Sequence, residues 1–326
     1  MNYADRLDAA IRRVGNPCLV GLDPHPDHMP EEFAVVRDPK APRAAKATAC
    51  ADFLCAILEV AAGKVPAVKP QSAFFELYGA DGALAWERVV RTARKNGLIV
   101  VGDVKRGDID TTARAYARAF LEGESDADRD HVCDAVTVNP YLGSDSITPF
   151  LESCKKAGAG IYVLVRTSNK DSKLIQDLEV TRRAPTSAAN DSAKAKASTH
   201  ETASIKVHEI VADAVAGWGR ELVGACGLSS VGAVVGATHP DELTSLRARM
   251  PTTPFLIPGY GAQGAGAKEI VGGFLPKGRG ALVNSSRGIL FASKQPQYRE
   301  LHWKDAASRA IDAMAIEINA AVGFAR

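Results

Sequence analysis

The feature that most restricts this chain is a recurrence of eight short apolar runs, each stopped by glycine, proline or a polar residue. They are Cys18–Asp23, Val65–Pro70, Leu98–Asp103, Ala135–Pro140, Ile161–Thr167, Ala233–Thr238, Phe255–Tyr260 and Ala281–Arg287. Most are β-branched and too short for helices, so they read as strands buried in a parallel sheet. Helix-like stretches lie between them. Lys46–Ala62 places Phe53, Leu54, Ile57 and Leu58 on one face, and Ala80–Asn96 stops at Gly97, a glycine just past a helix end. Thr112–Leu121 follows Asp110 and Thr111, either of which could cap it. His239–Met250 opens with Pro240, Asp241 and Glu242, and Asp305–Val322 is the last helical stretch. Strands alternating with helices predict an α/β fold, a (β/α)8 TIM barrel with residues 1–326 as one domain. A doubly wound sheet is the competing arrangement. The strand count and the polar residues at strand C-termini favour the barrel.

One segment departs from the alternation. Thr181–His200 carries alanines, one proline and polar residues, and cannot bury enough surface to offset the entropy of ordering. It predicts a mobile insertion over about residues 171–200, between the fifth and sixth strands, formed as a loop or a polar helix. An insertion without a catalytic part is preferred to a lid.

Charge and cysteine usage narrow the partners. Lys and Arg number 40 against 38 Asp and Glu, so no basic field exists for nucleic acid or an anionic membrane. The six cysteines are scattered with no C-x-x-C pair, which reads as reduced thiols rather than a disulfide framework or zinc ribbon. The first residues carry Asp5 and Asp8 and no apolar core of a secretory signal. Leu222–Thr238, the best membrane candidate, is interrupted by glycines and serines. A cytoplasmic protein is therefore expected.

In a barrel of this kind, chemistry sits where strands end. Those ends hold Asp23, Lys69, Asp103, Lys105, Asn139, Ser168, Gln263 and Arg287. The densest cluster is Asp103-Val104-Lys105-Arg106-Gly107-Asp108. Side chains two apart on a strand share a face, so Asp103 and Lys105 should both enter the mouth, beside Lys69 from the neighbouring strand. An ammonium among carboxylates stays protonated and serves as an acid rather than a nucleophile. Surface ion pairing is the bland alternative. After strands seven and eight, Pro258–Gly264 and Asn284–Ile289 bring glycines, Gln263 and Arg287 to the two loops where barrels often hold phosphate. The run Asp23-Pro24-His25-Pro26-Asp27-His28 has metal-ligand residue types, but on a proline-stiffened loop, and a solvated loop is the preferred reading.

Taken together, Gly21-Leu22-Asp23-Pro24, Ala67–Gln71, Asp103–Ile109, Pro258–Gln263 and Asn284–Ile289 resemble orotidine 5′-phosphate decarboxylase, in its longer bacterial branch of mycobacterial type. The motifs appear in family order over nearly the whole chain. The resemblance implies a (β/α)8 homodimer with shared sites, turning orotidine 5′-phosphate into UMP and carbon dioxide with no metal and no organic cofactor. It implies that Lys105 protonates C6 of the pyrimidine, that Asp103 lies beside the departing carboxylate, and that Lys69 bridges to Asp103 and the ribose. It further implies that Asp108 serves the neighbouring subunit's site and that Asp23 binds a ribose hydroxyl. Gln263 and Arg287 would hold the phosphate, Ser168 would read the pyrimidine edge, and Thr112 would reach across the dimer. The chain departs from the family at Thr111-Thr112, where many members carry Asn-Thr, and in the length of the 171–200 insertion.

Three other readings share some of these residues. A magnesium-dependent phosphosugar decarboxylase or aldolase of the same superfamily needs carboxylates around a cation, and Lys69 would repel one. A Schiff-base aldolase needs a lysine in apolar surroundings, not one beside carboxylates. A non-catalytic nucleotide-binding barrel would not need the full set of charges.

Overall fold

The computed structural model describes residues 1–125, 129–182, 203–238, 240–261 and 266–324. Its strands are β1 Cys18–Leu22, β2 Ala67–Pro70, β3 Ile99–Arg106, β4 Ala135–Val138, β5 Gly160–Arg166, β6 Glu179–Arg182, β7 Ala203–Lys206, β8 Val231–Val235, β9 Phe255–Ile257 and β10 Ala281–Ser285. Eight of them close into a parallel barrel in the order β1-β10-β9-β8-β5-β4-β3-β2. The seam joins Cys18, Leu19 and Val20 to Val283, Asn284 and Ser285. The helices Arg43–Ala61, Gly79–Lys95, Asp110–Ala117, Ser144–Ala157, Val207–Trp218, Pro240–Arg249 and Trp303–Val322 lie between and after the strands.

Strand alternation divides the buried residues into two cores. Leu19, Ala67, Val101, Ala135, Tyr162, Val234, Leu256 and Leu282 point into the barrel. Their neighbours, such as Val20, Val68, Val100, Val136, Ile161 and Val283, point outward and pack beneath the helices. A strand apolar on both parities is the only kind that satisfies both layers, which is why the eight runs are continuous rather than alternating.

The inner core has a lid at one end that the sequence pattern did not reveal. The N-terminal helix Tyr3–Val14 packs Tyr3, Leu7 and Ile11 against the inward-facing residues. Asn2 caps it by accepting the amide of Asp5, and Gly15 ends it in the left-handed region at φ 78°. The Tyr3 hydroxyl donates to the Tyr162 hydroxyl at 3.0 Å, and the two rings meet edge to face. Arg6 of the same helix pairs with the buried Asp134 at the start of β4. This plug closes the N-terminal end of the strands, so the large cavity opens at their C-terminal end.

Two expectations need correction. The helix after β3 starts at Asp110, with Ile109 in the cap position and no side-chain cap, so neither Asp110 nor Thr111 caps it. Its last part widens into a π turn over Arg118–Glu122. The predicted mobile insertion is structured at its start: Lys170–Ser172 form a turn, Lys173–Gln176 a short helix, and β6 pairs antiparallel with β7. Thr181 and Arg182 are thus in register with Ser204 and Ala203. Strand pairing and the ion pair of Asp177 with Arg166 hold this part, while Leu174, Ile175, Leu178 and Val180 are exposed. Residues 183–200, on which the rest of that expectation falls, lie outside the described residues.

All six cysteines are free thiols; four are buried and Cys55 and Cys226 half-buried. Burial pushes the Cys154 thiol up to about 12. Among the described residues no helix is long and apolar enough to cross a membrane.

Gly160 opens β5 directly beneath the plug. A Cβ there would lie 2.3 Å from the Tyr3 ring, which is fully buried. Gly160→Ala is expected to lower stability by about 1–3 kcal/mol, the usual cost of overpacking. Urea unfolding measures it, and an unchanged midpoint would show that the helix can shift freely.

Candidate active site at the mouth of the barrel

Asp103 is the centre of the site. It lies within β3 with its side chain 9% exposed and accepts four hydrogen bonds. Lys69 Nζ reaches Oδ2 at 2.5 Å, and Gln71 Nε2 reaches the same oxygen at 3.1 Å. Lys105 Nζ reaches Oδ1 at 2.5 Å, and the Thr137 hydroxyl donates to it at 3.0 Å. The neighbours stand there because β2, β3 and β4 are adjacent in the barrel and Lys69, Gln71, Asp103 and Thr137 all fall on inward-facing positions.

The electrostatics follow from burial and pairing. Burial favours the neutral acid at Asp103, but Lys69 and Lys105 outweigh it and hold the carboxyl well below the usual range. Burial likewise opposes the charge on Lys69, and Asp103 followed by Asp23 outweighs it, so its pKa is raised. The two lysines differ in access. The Lys69 side chain is 7% exposed, whereas that of Lys105 is 48% exposed. Lys69 is a buried counter-charge, and Lys105 presents its ammonium to the cavity.

That cavity has a volume of about 870 Å³ and is lined by Asp23, Lys69, Asp103, Lys105, Ser168 and Arg287 among others. With Asn139, which also lines it, the cavity brings together seven of the eight strand-end residues singled out in the sequence. Asp23 has one buried carboxylate oxygen with no partner among the described residues. Asp108 and Thr112 do not line the cavity. Asp108 accepts the amide of Ile109 at 2.8 Å, and Thr112 is exposed on the helix that follows. Gln263 lies outside the described residues. His25 and His28 of the metal-like run pack their rings instead, His25 edge-on to Phe74 and His28 against Phe291.

Asp103 and Lys105 converge by a route other than a plain strand. β3 pairs with β4 at Gly102↔Val136 and next at Arg106↔Val138, a shift of register across the intervening residues. Lys105 sits inside that bulge with φ at 45°, in the left-handed region that non-glycine residues rarely enter.

Several contributors escaped the sequence reading. Gln71 was legible, since it lies two residues past Lys69 on the same face, but Thr137 inside an apolar run was not. Nor was Arg166, which heads the large fully buried side chains among the described residues. Its guanidinium pairs with Glu242 at 2.6 Å and Asp177 at 3.1 Å, tying the end of β5 to two other segments. Gln176 accepts the Thr167 amide and donates to its hydroxyl, so the start of the insertion holds the turn that carries Ser168. Leu174, Ile175 and Gln176 form part of the cavity wall. These residues precede Thr181–His200, the segment expected to have no catalytic part, and they shape the site. Gly236 at the end of β8 completes the turn, because a Cβ there would lie 2.9 Å from the Ser168 side chain.

Known proteins share this architecture. Residues 18–300 match the family model described as orotidine 5′-phosphate decarboxylase / HUMPS family. The chain is 40% identical over 317 residues to the orotidine 5′-phosphate decarboxylase of Rhodopirellula baltica, covering 95% of this chain and 96% of the relative. It is 37% identical over 311 residues to that of Petrotoga mobilis, covering 94% of each. The solved structure of Leishmania donovani OMP decarboxylase matches with a TM-score of 0.70 at 30% identity, over 99% of this chain and 100% of that one.

The depressed pKa of Asp103 sets an acid dependence. Its folded pKa lies below the unfolded value of about 4, so its contribution to stability is complete above that value and is lost as pH falls toward the folded pKa. Unfolding free energy measured between about pH 5 and pH 2 is expected to fall less steeply in Asp103→Asn than in the wild type. Parallel slopes would show that the carboxyl titrates alike in both states.

Proposed function

We propose that this chain, which belongs to the orotidine 5′-phosphate decarboxylase / HUMPS family, converts orotidine 5′-phosphate to UMP and carbon dioxide in pyrimidine biosynthesis. The observation that supports the chemistry most directly is the buried Lys69–Asp103–Lys105 array with the Lys105 ammonium alone in the open. When the bond from C6 to the carboxylate breaks, the electron pair stays on C6 and carbon dioxide departs. Lys105 stabilises that developing charge and delivers the proton to C6, leaving a neutral amine that solvent reprotonates. Asp103 and Lys69 hold the ammonium in place, and Asp103 stands beside the departing carboxylate. Asp23, which lines the cavity, suits a ribose hydroxyl. Arg287, at the start of the helix Arg287–Leu290, would pair with phosphate together with Gln263, and Ser168 would read the pyrimidine edge.

The rival reading is a magnesium-dependent phosphosugar decarboxylase or aldolase. A lysine ammonium 2.5 Å from Asp103 stands where a divalent cation would need free carboxylates, which favours the decarboxylase reading. No metal and no cofactor is part of the proposed reaction.

The proposal includes a cytoplasmic homodimer, one domain per chain, whose active sites are shared. Asp108 and Thr112 lie outside their own cavity, and the exposed Ile109, Tyr141 and Leu142 stand on the loops after β3 and β4. The partner subunit's Asp108 would complete the charge array, and Thr112 would reach across in the same way.

The direct test is the ultraviolet absorbance of orotidine 5′-phosphate on mixing with metal-free protein. Conversion to UMP is expected, and Lys105→Ala should lower kcat by at least about 10²–10⁴-fold, the range for loss of a general acid. Turnover that requires magnesium, or a fully active Lys105→Ala, would overturn the reading.

Subunit sharing has its own test. Lys105→Ala and Asp108→Ala are each expected to be nearly inactive. Heterodimers of the two place both lesions in one site and leave the other intact, so activity should return on mixing. Heterodimers confirmed by mass yet without activity would place Asp108 in its own subunit's site.

A further inference from the structure

We propose that Thr137 is the positioning residue that aims the Lys105 ammonium, an inference that rests on the decarboxylase reading. Between the pairs Gly102↔Val136 and Arg106↔Val138, β3 advances from 102 to 106 while β4 advances only from 136 to 138. The residues of the bulge cannot all find ladder partners on β4. Among them Lys105 carries a positive φ of 45°, a conformation that persists only where its surroundings hold it.

Thr137 lies across from the bulge and is 1% exposed. The Lys105 amide donates to Thr137 Oγ1 at 3.0 Å. The Thr137 hydroxyl in turn donates to Asp103 Oδ1 at 3.0 Å. A hydroxyl has one proton, and an ionised carboxylate can only accept, so the direction of this chain of bonds is fixed. Lys105 Nζ bonds the same Oδ1 at 2.5 Å. The backbone of Lys105 and the end of its side chain are thereby both referred to one oxygen, the backbone through Thr137.

Removing the hydroxyl leaves the Lys105 amide without its partner beside the buried Asp103. The cheapest relief is for Lys105 to leave the left-handed region, which swings its side chain away from Asp103. The phosphate and pyrimidine contacts assigned to Arg287 and Ser168 come from residues that follow other strands, and they remain. The loss should therefore fall on the chemical step and not on substrate affinity.

Thr137→Val removes the hydroxyl and keeps the shape, whereas Thr137→Ser keeps the hydroxyl. With orotidine 5′-phosphate, the valine variant is expected to lose at least tenfold in kcat with KM within about twofold of wild type. The serine variant is expected to retain most of the wild-type kcat. Should the valine chain fail to fold, Thr137→Cys makes the same comparison, because a thiol is a weak donor and acceptor. A valine variant with unchanged kcat, a rise in KM at unchanged kcat, or a folded but inactive serine variant would each overturn the proposal. A wild-type chain inactive on orotidine 5′-phosphate would overturn the decarboxylase reading and this inference with it. An active wild type beside a fully active valine variant overturns the inference alone.

Discussion

The arrangement depends on one buried carboxylate. Asp103 is held ionised by two ammonium groups, an amide and a hydroxyl, each from a different place on three neighbouring strands. An isolated charge at that depth would be expelled or neutralised. Surrounded in this way it becomes the reference point to which Lys69, Lys105, Gln71 and Thr137 are all fixed. Removing any one partner leaves an uncompensated polar group, so the cluster tolerates little change, and its geometry is set before any ligand arrives.

The barrel makes that cluster possible by separating two tasks. Its lower end is filled by apolar side chains and sealed by the N-terminal helix through Tyr3, Leu7 and Ile11. Its upper end is left to polar residues on the same inward-facing positions, one or two residues further along each strand. The path along β2 from Ala67 to Lys69 to Gln71, and along β4 from Ala135 to Thr137, passes from packed core to reactive surface within a few residues. The low dielectric of the first strengthens the interactions of the second.

Much of this was legible in the residue order. The eight strands, the helices between them and the Lys69, Asp103 and Lys105 cluster follow from short β-branched runs ended by charged residues. What stayed hidden has a common physical cause: residues whose importance comes from a distant partner carry no local pattern. Tyr3 looks like an ordinary helix residue until Tyr162 is opposite it, and Arg166 like a surface charge until Glu242 and Asp177 close around it. The insertion was hard to read at its start for a related reason. Its low apolar content begins at Thr181, but its first part is anchored by Gln176 and Asp177 and faces the cavity.

Sequence by itself determined the fold class, the strand-end residues that carry charge, and the family resemblance, because those depend on residue type and spacing along the chain. Only the tertiary structure decided that Lys105 lies in a left-handed bulge, that Lys69 is buried while Lys105 is open, and that Asp108 stays out of its own cavity. Those outcomes turn on register between β3 and β4 and on which side chains shield one another from water. Both are set by closing the barrel, when residues far apart in the chain come within hydrogen-bonding distance.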